Sequence, residues 1–162
     1  MIASIAVLAA VTVQRLGELL LARRNTRRLL ARGAVEFGAG HYPLLVLMHG
    51  VWLAGLWLLA WNRPLIAPWL AVFIALQALR VWVIATLGGR WTTRIIVLKG
   101  AAPVRRGPYR FVSHPNYLVV AAEIAALPLA FGLGAFAALF SILNAGVLWI
   151  RIGAENKALA SL

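Results

Sequence analysis

The chain has 162 residues, of which 63% are apolar and only 12% charged, and it carries a net charge of +12 with no cysteine. A soluble domain has about a quarter of its residues charged, so these proportions exclude one. Without cysteine there is neither a disulfide framework nor a thiolate metal site, and without aspartate there is no Ser-His-Asp triad. The length suits a single domain, 1–162, and the apolar residues fall in runs long enough to cross a bilayer. The fold class expected is therefore all-α, a polytopic bundle of about five transmembrane helices. The bases flank those runs, the pattern of cytoplasmic membrane edges and not of a nucleic-acid surface.

The first span is expected over Ile2–Ala22, and it reads as a retained helix, not a cleaved leader. Arg15 and Glu18 lie three apart on one face and can pair, locking this helix to its neighbours. Arg23, Arg24, Arg27, Arg28 and Arg32 follow in a short amphipathic stretch bounded by Asn25 and Gly33, a basic anchor on anionic headgroups. Glu36, Gly38, Gly40, His41 and Tyr42 form a turn leading to a second span, Pro43–Trp61. His41 and His49 would need Glu36 or His114 to make a zinc site, and that spacing is too loose to support one, so no metal is expected.

Asn62-Arg63-Pro64 is a tight turn, and the third span is Leu65–Leu87. Arg80 lies deep in it and needs a partner, with Glu18 or Glu123 the natural choices. Trp52, Trp57, Trp61, Trp69 and Trp82 sit near span ends or one turn inside, most of them as interfacial anchors. The chain leaves the membrane at Gly88-Gly89. Ile95–Leu98 is too short to span and reads as an extended or interfacial piece.

Tyr117–Ile150 is too long for one crossing. Pro128 and Gly132-Leu133-Gly134 in its middle imply a hairpin of two helices, and Arg151–Leu162 a short cytoplasmic tail helix. Residues 1–87 then hold three spans, and 88–162 a loop, the hairpin and the tail. With the N-terminus outside, Arg23 to Arg32, the six bases from Arg90 to Arg110, Arg151 and Lys157 all fall on one side. Only Arg63 lies opposite, and Arg15 and Arg80 are within spans. This agrees with the positive-inside rule and places the C-terminus in the cytoplasm.

The densest polar stretch is Arg105-Arg106-Gly107-Pro108-Tyr109-Arg110-Phe111-Val112-Ser113-His114-Pro115-Asn116-Tyr117. Pro115 suits the first turn of a helix, with Ser113 or His114 as its cap. A helix start offers free N–H groups and partial positive charge to an anion. The hairpin brings Ser113–Tyr117 and Arg151–Glu155 to the same membrane face. There is no Walker loop, and no Rossmann fingerprint of an ordinary S-adenosylmethionine enzyme.

The stretch resembles the isoprenylcysteine carboxyl methyltransferase family, whose motif runs Gly-x-Tyr-x-x-x-Arg-His-Pro-x-Tyr-x-Gly. Gly107, Tyr109, His114, Pro115 and Tyr117 match it at the right spacing, while Ser113 and Val119 replace the Arg and the second Gly. A second element, Arg-x-x-x-Glu-Glu-x-x-Leu, is matched by Arg151, Glu155 and Leu159, with Asn156 for the second Glu. The resemblance is to the bacterial integral-membrane branch, which implies an inner-membrane protein. It also implies S-adenosyl-L-methionine as cofactor and methyl transfer to an oxygen of a lipid-like carboxyl or phenolic acceptor arriving from the membrane.

On that reading the cofactor residues are Tyr109, His114, Pro115, Asn116, Tyr117 and Glu155. Glu155 would take the ammonium or ribose hydroxyls and the tyrosine rings the adenine or sulfonium. Arg151 would orient the acceptor oxygen. Glu123 is the candidate base, or else the ion-pair partner of Arg80 or Arg15. Two rival readings are an NADPH-dependent membrane reductase of the sterol-reductase type and a helical scaffold or lipid-binding protein.

Overall fold

The computed structural model describes residues 1–160, with the side chains of residues 159 and 160 left aside. Five α-helices form a bundle: α1 (Ile2–Ala31), α2 (Tyr42–Ala60), α3 (Ala67–Leu87), α4 (Pro115–Ala130) and α5 (Gly134–Ala160). Two strands, β1 (Val35–Phe37) and β2 (Ile95–Val97), pair antiparallel with Glu36 opposite Ile96. Four of the helices are long and apolar enough to cross a membrane, and α4 is a shorter apolar one. Its 16 residues make about 24 Å at 1.5 Å per residue, less than a bilayer's hydrocarbon core.

Within the spans the outward faces of the helices are apolar and carry residues such as Leu20, Leu58, Ile142 and Trp149, all exposed. In a soluble protein such a surface would aggregate; here it is the face offered to lipid. The protein is an integral membrane protein. Inside, Leu8, Trp52, Leu56, Phe73, Leu127 and Phe131 make one core between α1, α2, α3 and α4.

The expected hairpin is present, and its turn has a definite cause. Gly132 has φ +70°. Its N–H bonds to Leu129 O at 3.0 Å, and the N–H of Leu133 bonds to Pro128 O at 2.9 Å. This pair of bonds is the Schellman closure, which favours glycine at that position. Pro128 has no N–H to give Ile124, so the Ile124 carbonyl is freed. The Trp52 indole takes it, Nε1 to O, at 3.3 Å.

Three expectations need correction, and a fourth, on the tryptophans, holds for three of the five. The amphipathic stretch after the first span does not separate from it, because no breaker precedes Gly33, and α1 runs unbroken to Ala31. The tail is likewise no separate helix, since α5 continues through Arg151 and Glu155. Trp52 is buried and the Trp57 indole donates to Thr12 Oγ1 at 3.0 Å, so these two are core residues; Trp61, Trp69 and Trp82 are exposed. The Glu36 segment is a strand as well as a turn. Its sheet with β2 caps the end of α5, where Ile95 and Val97 pack on Ala158.

Candidate active site

Two polar centres are built inside this frame. The deeper one lies in the spans. Glu18 accepts from Arg80 Nε at 2.6 Å and Nη2 at 2.5 Å, and from Arg15 Nη1 at 3.3 Å. Glu123 accepts from Arg15 Nη2 at 2.8 Å, Arg80 Nη1 at 2.9 Å and Gln77 Nε2 at 2.8 Å. Two arginines and two glutamates therefore balance to zero charge, the condition on which charges persist among apolar helices. Arg80 meets both of the partners open to it. Glu123 is fully buried, its oxygens are taken by the network, and it lines neither cavity described below. Of its two candidate roles, the structure carries the ion pair.

The second centre sits where α4 begins and α5 ends. Gly107 lies in a 3₁₀ turn, Gly107–Arg110, that leads to it. With φ +55°, any Cβ there would collide with the Thr86 side chain, so the motif glycine is required both by backbone and by contact. His114 is the N-cap residue of α4 and Pro115 follows as its first residue. The N–H groups of Tyr117 and Leu118 already bond to His114 O at 3.1 and 3.4 Å. The helix start is thus a thinner anion seat than the sequence suggests.

The side chains nonetheless converge. The His114 and Tyr117 rings stack with centroids 5.3 Å apart. The Tyr117 hydroxyl donates to Glu155 Oε2 and accepts from Arg151 Nε at 3.0 Å. His114 Nδ1 lies 3.7 Å from the same carboxylate oxygen. The Arg151 guanidinium also faces the Tyr117 ring, 5.6 Å from its centroid.

These groups line a cavity of about 170 Å³ that Tyr109, Asn116, Arg90, Trp91 and Arg94 also border. Burial, reinforced by the Glu155 carboxylate, raises the Tyr109 phenol to about 12, so the ring is neutral at ordinary pH. Pro115 is not among the lining residues; it sets the helix start. Arg94 is held by Glu36, at 2.8 and 3.0 Å, and lies over the Tyr42 ring.

A larger cavity of about 270 Å³ adjoins it, between α1, α2 and the start of α4. Its walls are mainly apolar, with Leu16, Val46 and Leu53 among them, and Leu16 and Val46 are exposed to the lipid side. Trp91, Thr92, Asn116, Tyr117 and Arg151 border both cavities. A polar chamber bordered by Arg90, Arg94, Arg151 and Glu155 thus shares a wall with a mainly apolar one, which Arg15, Glu18 and Arg80 of the buried network also border.

The model of the isoprenylcysteine carboxyl methyltransferase (ICMT) family matches residues 69–161, more than half the chain. The chain belongs to that family. Membership makes it one of the membrane methyltransferases, and the family match spans all four converging residues. The chain is also 40% identical over 157 residues to the uncharacterized protein YpbQ of Bacillus subtilis (strain 168), covering 94% of each. No solved structure matches.

Three features of this ICMT-family site were not foreseen from sequence. Trp91, just past the membrane exit at Gly88-Gly89, carried no role in the sequence, yet it lies in the shared wall. Gln14 and Gln77 join the buried network, with Gln14 Nε2 donating to Gln77 Oε1 at 2.7 Å. Asn25, read as an edge residue, is buried and donates to Gly88 O and Trp91 O at 3.1 and 2.8 Å. An asparagine set directly after Arg23-Arg24, inside the basic run, was the available signal.

Proposed function

We propose that the protein is an S-adenosyl-L-methionine-dependent O-methyltransferase of the bacterial inner membrane, acting on a lipid-like carboxyl or hydroxyl acceptor that arrives from the bilayer. The observation that carries this is the shared wall: Tyr117 and Arg151 face a polar chamber on one side and an apolar one on the other. A reaction joining a water-soluble donor to a lipophilic acceptor needs that arrangement.

The donor set fits the cofactor. With Arg94 paired to Glu36, Arg90 and Arg151 face the carboxylate of Glu155 around the polar chamber, which suits a ligand carrying both a carboxylate and an ammonium. Glu155 is partly exposed, so one face can accept from an ammonium or from ribose hydroxyls. Tyr109 and the stacked His114–Tyr117 pair offer ring faces to a purine or a cation. When bound, the cofactor supplies an electrophilic methyl group on a sulfonium.

The protein's own part is placement and exclusion of water. Arg151 is buried and fixed by Tyr117, and it directs its charge at an acceptor oxygen. The apolar walls keep water out, which favours a reaction that consumes charge. Isothermal titration with S-adenosylhomocysteine tests the reading. Binding by the parent protein, lost in both Glu155→Ala and His114→Ala while each still inserts and folds, is expected. Unchanged binding in both variants, or stabilisation by NADPH instead, overturns it.

A further inference from the structure

The loop before the Gly107 turn closes over the end of α3. Gly100, at φ +73°, and Gly107, at φ +55°, bound it, and the N–H of Ala101 bonds to Leu98 O at 3.2 Å. Between this loop and the helix lies a further cavity of about 360 Å³, larger than either chamber, with Thr86, Leu87, Arg90, Val104, Arg105 and Arg106 at its border.

Three guanidinium groups border this hollow and no carboxylate does. Arg90 donates from Nη1 to Ala102 O at 2.7 Å, and Arg106 from Nη2 to Thr86 O at 3.4 Å. These bonds tie the loop to α3 from both sides, and each leaves most of the N–H groups of its fork unspent. Arg105 makes no hydrogen bond or ion pair among the described residues. Like charges gathered in one hollow raise a positive potential that draws an anion. The chain has no acidic side chain to spare for it. Of its four, Glu18 and Glu123 lie in the buried network, Glu36 holds Arg94 and Glu155 holds Tyr117.

We propose that this hollow seats the phosphate of an anionic phospholipid. Guanidinium forks match phosphate oxygens in pairs. The surroundings favour a lipid as the carrier of that phosphate. Leu87, Pro103 and Val104 give the hollow an apolar border. The same turn runs on into Phe111 and Val112, 66% and 41% exposed, with the Arg110 guanidinium 4.5 Å from the Phe111 ring centroid. Exposed apolar side chains next to bases suit the headgroup layer, where the former enter the leaflet and the latter stay among the phosphates. A free phosphate would engage the arginines and leave the apolar residues in water. The arginines at the end of α1 differ, for they follow one helix and border none of the three cavities.

The test uses the full chain in a nonionic micelle, titrated with phosphatidylglycerol or phosphatidylcholine of the same acyl chains. Phosphatidylglycerol is expected to raise the thermal midpoint, and phosphatidylcholine, whose choline cancels the charge, to leave it unchanged. Arg105→Gln/Arg106→Gln should weaken phosphatidylglycerol binding at least about tenfold, since charge-assisted bonds are lost. Arg27→Gln/Arg28→Gln takes the same charge from exposed positions on α1 and should keep the parent's affinity. Arg105→Gln alone gives up no bond within the protein, and it carries the test should the double variant disturb folding. Inorganic phosphate, compared with chloride at equal ionic strength, should leave the midpoint where it is.

An equal response to the two lipids overturns the proposal. So does an equal loss in the two double variants, which would mark only the general pull of a basic surface. A full shift with inorganic phosphate would make the hollow a site for a soluble anion and overturn the lipid assignment. Arg90 borders both this hollow and the polar chamber, so titration with S-adenosylhomocysteine runs in parallel. Unchanged affinity for it in Arg105→Gln/Arg106→Gln is expected. A matching loss would make the hollow part of the cofactor chamber and overturn a separate site.

Discussion

Arg151 donates from Nε to the Tyr117 hydroxyl at 3.0 Å, joining α5 to α4 across 34 residues of sequence. The same hydroxyl donates to Glu155. One phenol thus stands between a buried cation and a half-open anion, and holds both at the boundary of the two chambers. Tyr117→Phe keeps the ring and its stack on His114 but releases both charges. Hydrogen bonds to charged groups are worth about 2 kcal/mol. We expect the variant to lose roughly that much stability in thermal or denaturant unfolding. We also expect S-adenosylhomocysteine to bind about tenfold more weakly, because Glu155 is no longer held. Full affinity at reduced stability would separate the hydroxyl from the site.

Glu123 offers a sharper division between structure and chemistry. Glu123→Gln preserves shape but leaves Arg15 and Arg80 sharing Glu18 alone. Removing one partner of a buried ion pair costs about 3–5 kcal/mol. The variant should therefore unfold at a clearly lower temperature in detergent, with S-adenosylhomocysteine affinity unchanged once folded. A variant of normal stability that binds the cofactor but does not turn over would instead make Glu123 the base.

Gly107→Ala tests why the loop before α4 has the course it does. Alanine at φ +55° is strained, and its Cβ meets the Thr86 hydroxyl and lies 3.0 Å from Thr86 Cγ2. Backbone strain of this type costs about 1–3 kcal/mol. We expect the single variant to be destabilised and its cofactor affinity to fall, since Tyr109 lies two residues on. The double variant Gly107→Ala with Thr86→Ala should recover the part due to the clash and not the part due to φ. Unfolding midpoints of the three proteins measure the split.

How much of this was legible follows from which signals are local. The hairpin could be read because an apolar run too long for one crossing was broken at Pro128 and Gly132. The meeting of His114, Tyr117, Arg151 and Glu155 followed from that hairpin and from helical spacing. Arg80 advertised its need for a carboxylate by its depth, although only the packing of α1 against α3 and α4 let it take two.

Only half of the sheet was legible: Ile95–Leu98 reads as extended or interfacial, whereas the Glu36 segment reads as a turn and the pairing of the two cannot be read at all. Each is three residues long, with no alternation to read, and Val35 finds Val97 only because α1 and α3 end at the same face. The end of α5 was misplaced because a charged residue after an apolar run looks like a membrane boundary, while the backbone has no reason to stop there. Trp91 was missed because its burial depends on Asn25 drawing the loop inward from a distant helix.

Tyr109 makes a pH prediction. Its folded pKa, about 12, lies above the ordinary 10. Above pH 10 the unfolded phenol loses its proton while the folded one keeps it, so the folded state binds more protons and stability falls as pH rises. The contribution is whole below pH 10 and is lost between about 10 and 12. Tyr109→Phe should flatten that part of the stability profile against the parent, and leave the profile from pH 6 to 9 parallel. An unaltered slope in the variant would place the effect elsewhere.

Orientation in the membrane can be read by labelling, because the chain contains no cysteine and single cysteines introduce no background. Lys99 and Arg63 are both exposed and lie at opposite ends of α3. The bases around Lys99 outnumber those near Arg63, and basic loops stay in the cytoplasm. In intact cells a membrane-impermeant maleimide should therefore label Arg63→Cys and not Lys99→Cys, and after permeabilisation it should label both. Arg63→Cys also gives up the bond from Arg63 Nε to Leu59 O at 3.1 Å, an exposed contact whose loss should leave insertion intact. The reverse labelling pattern would put the polar chamber on the outer face. The soluble cofactor made in the cytoplasm would not reach it there, and the proposed methyl transfer would have no donor.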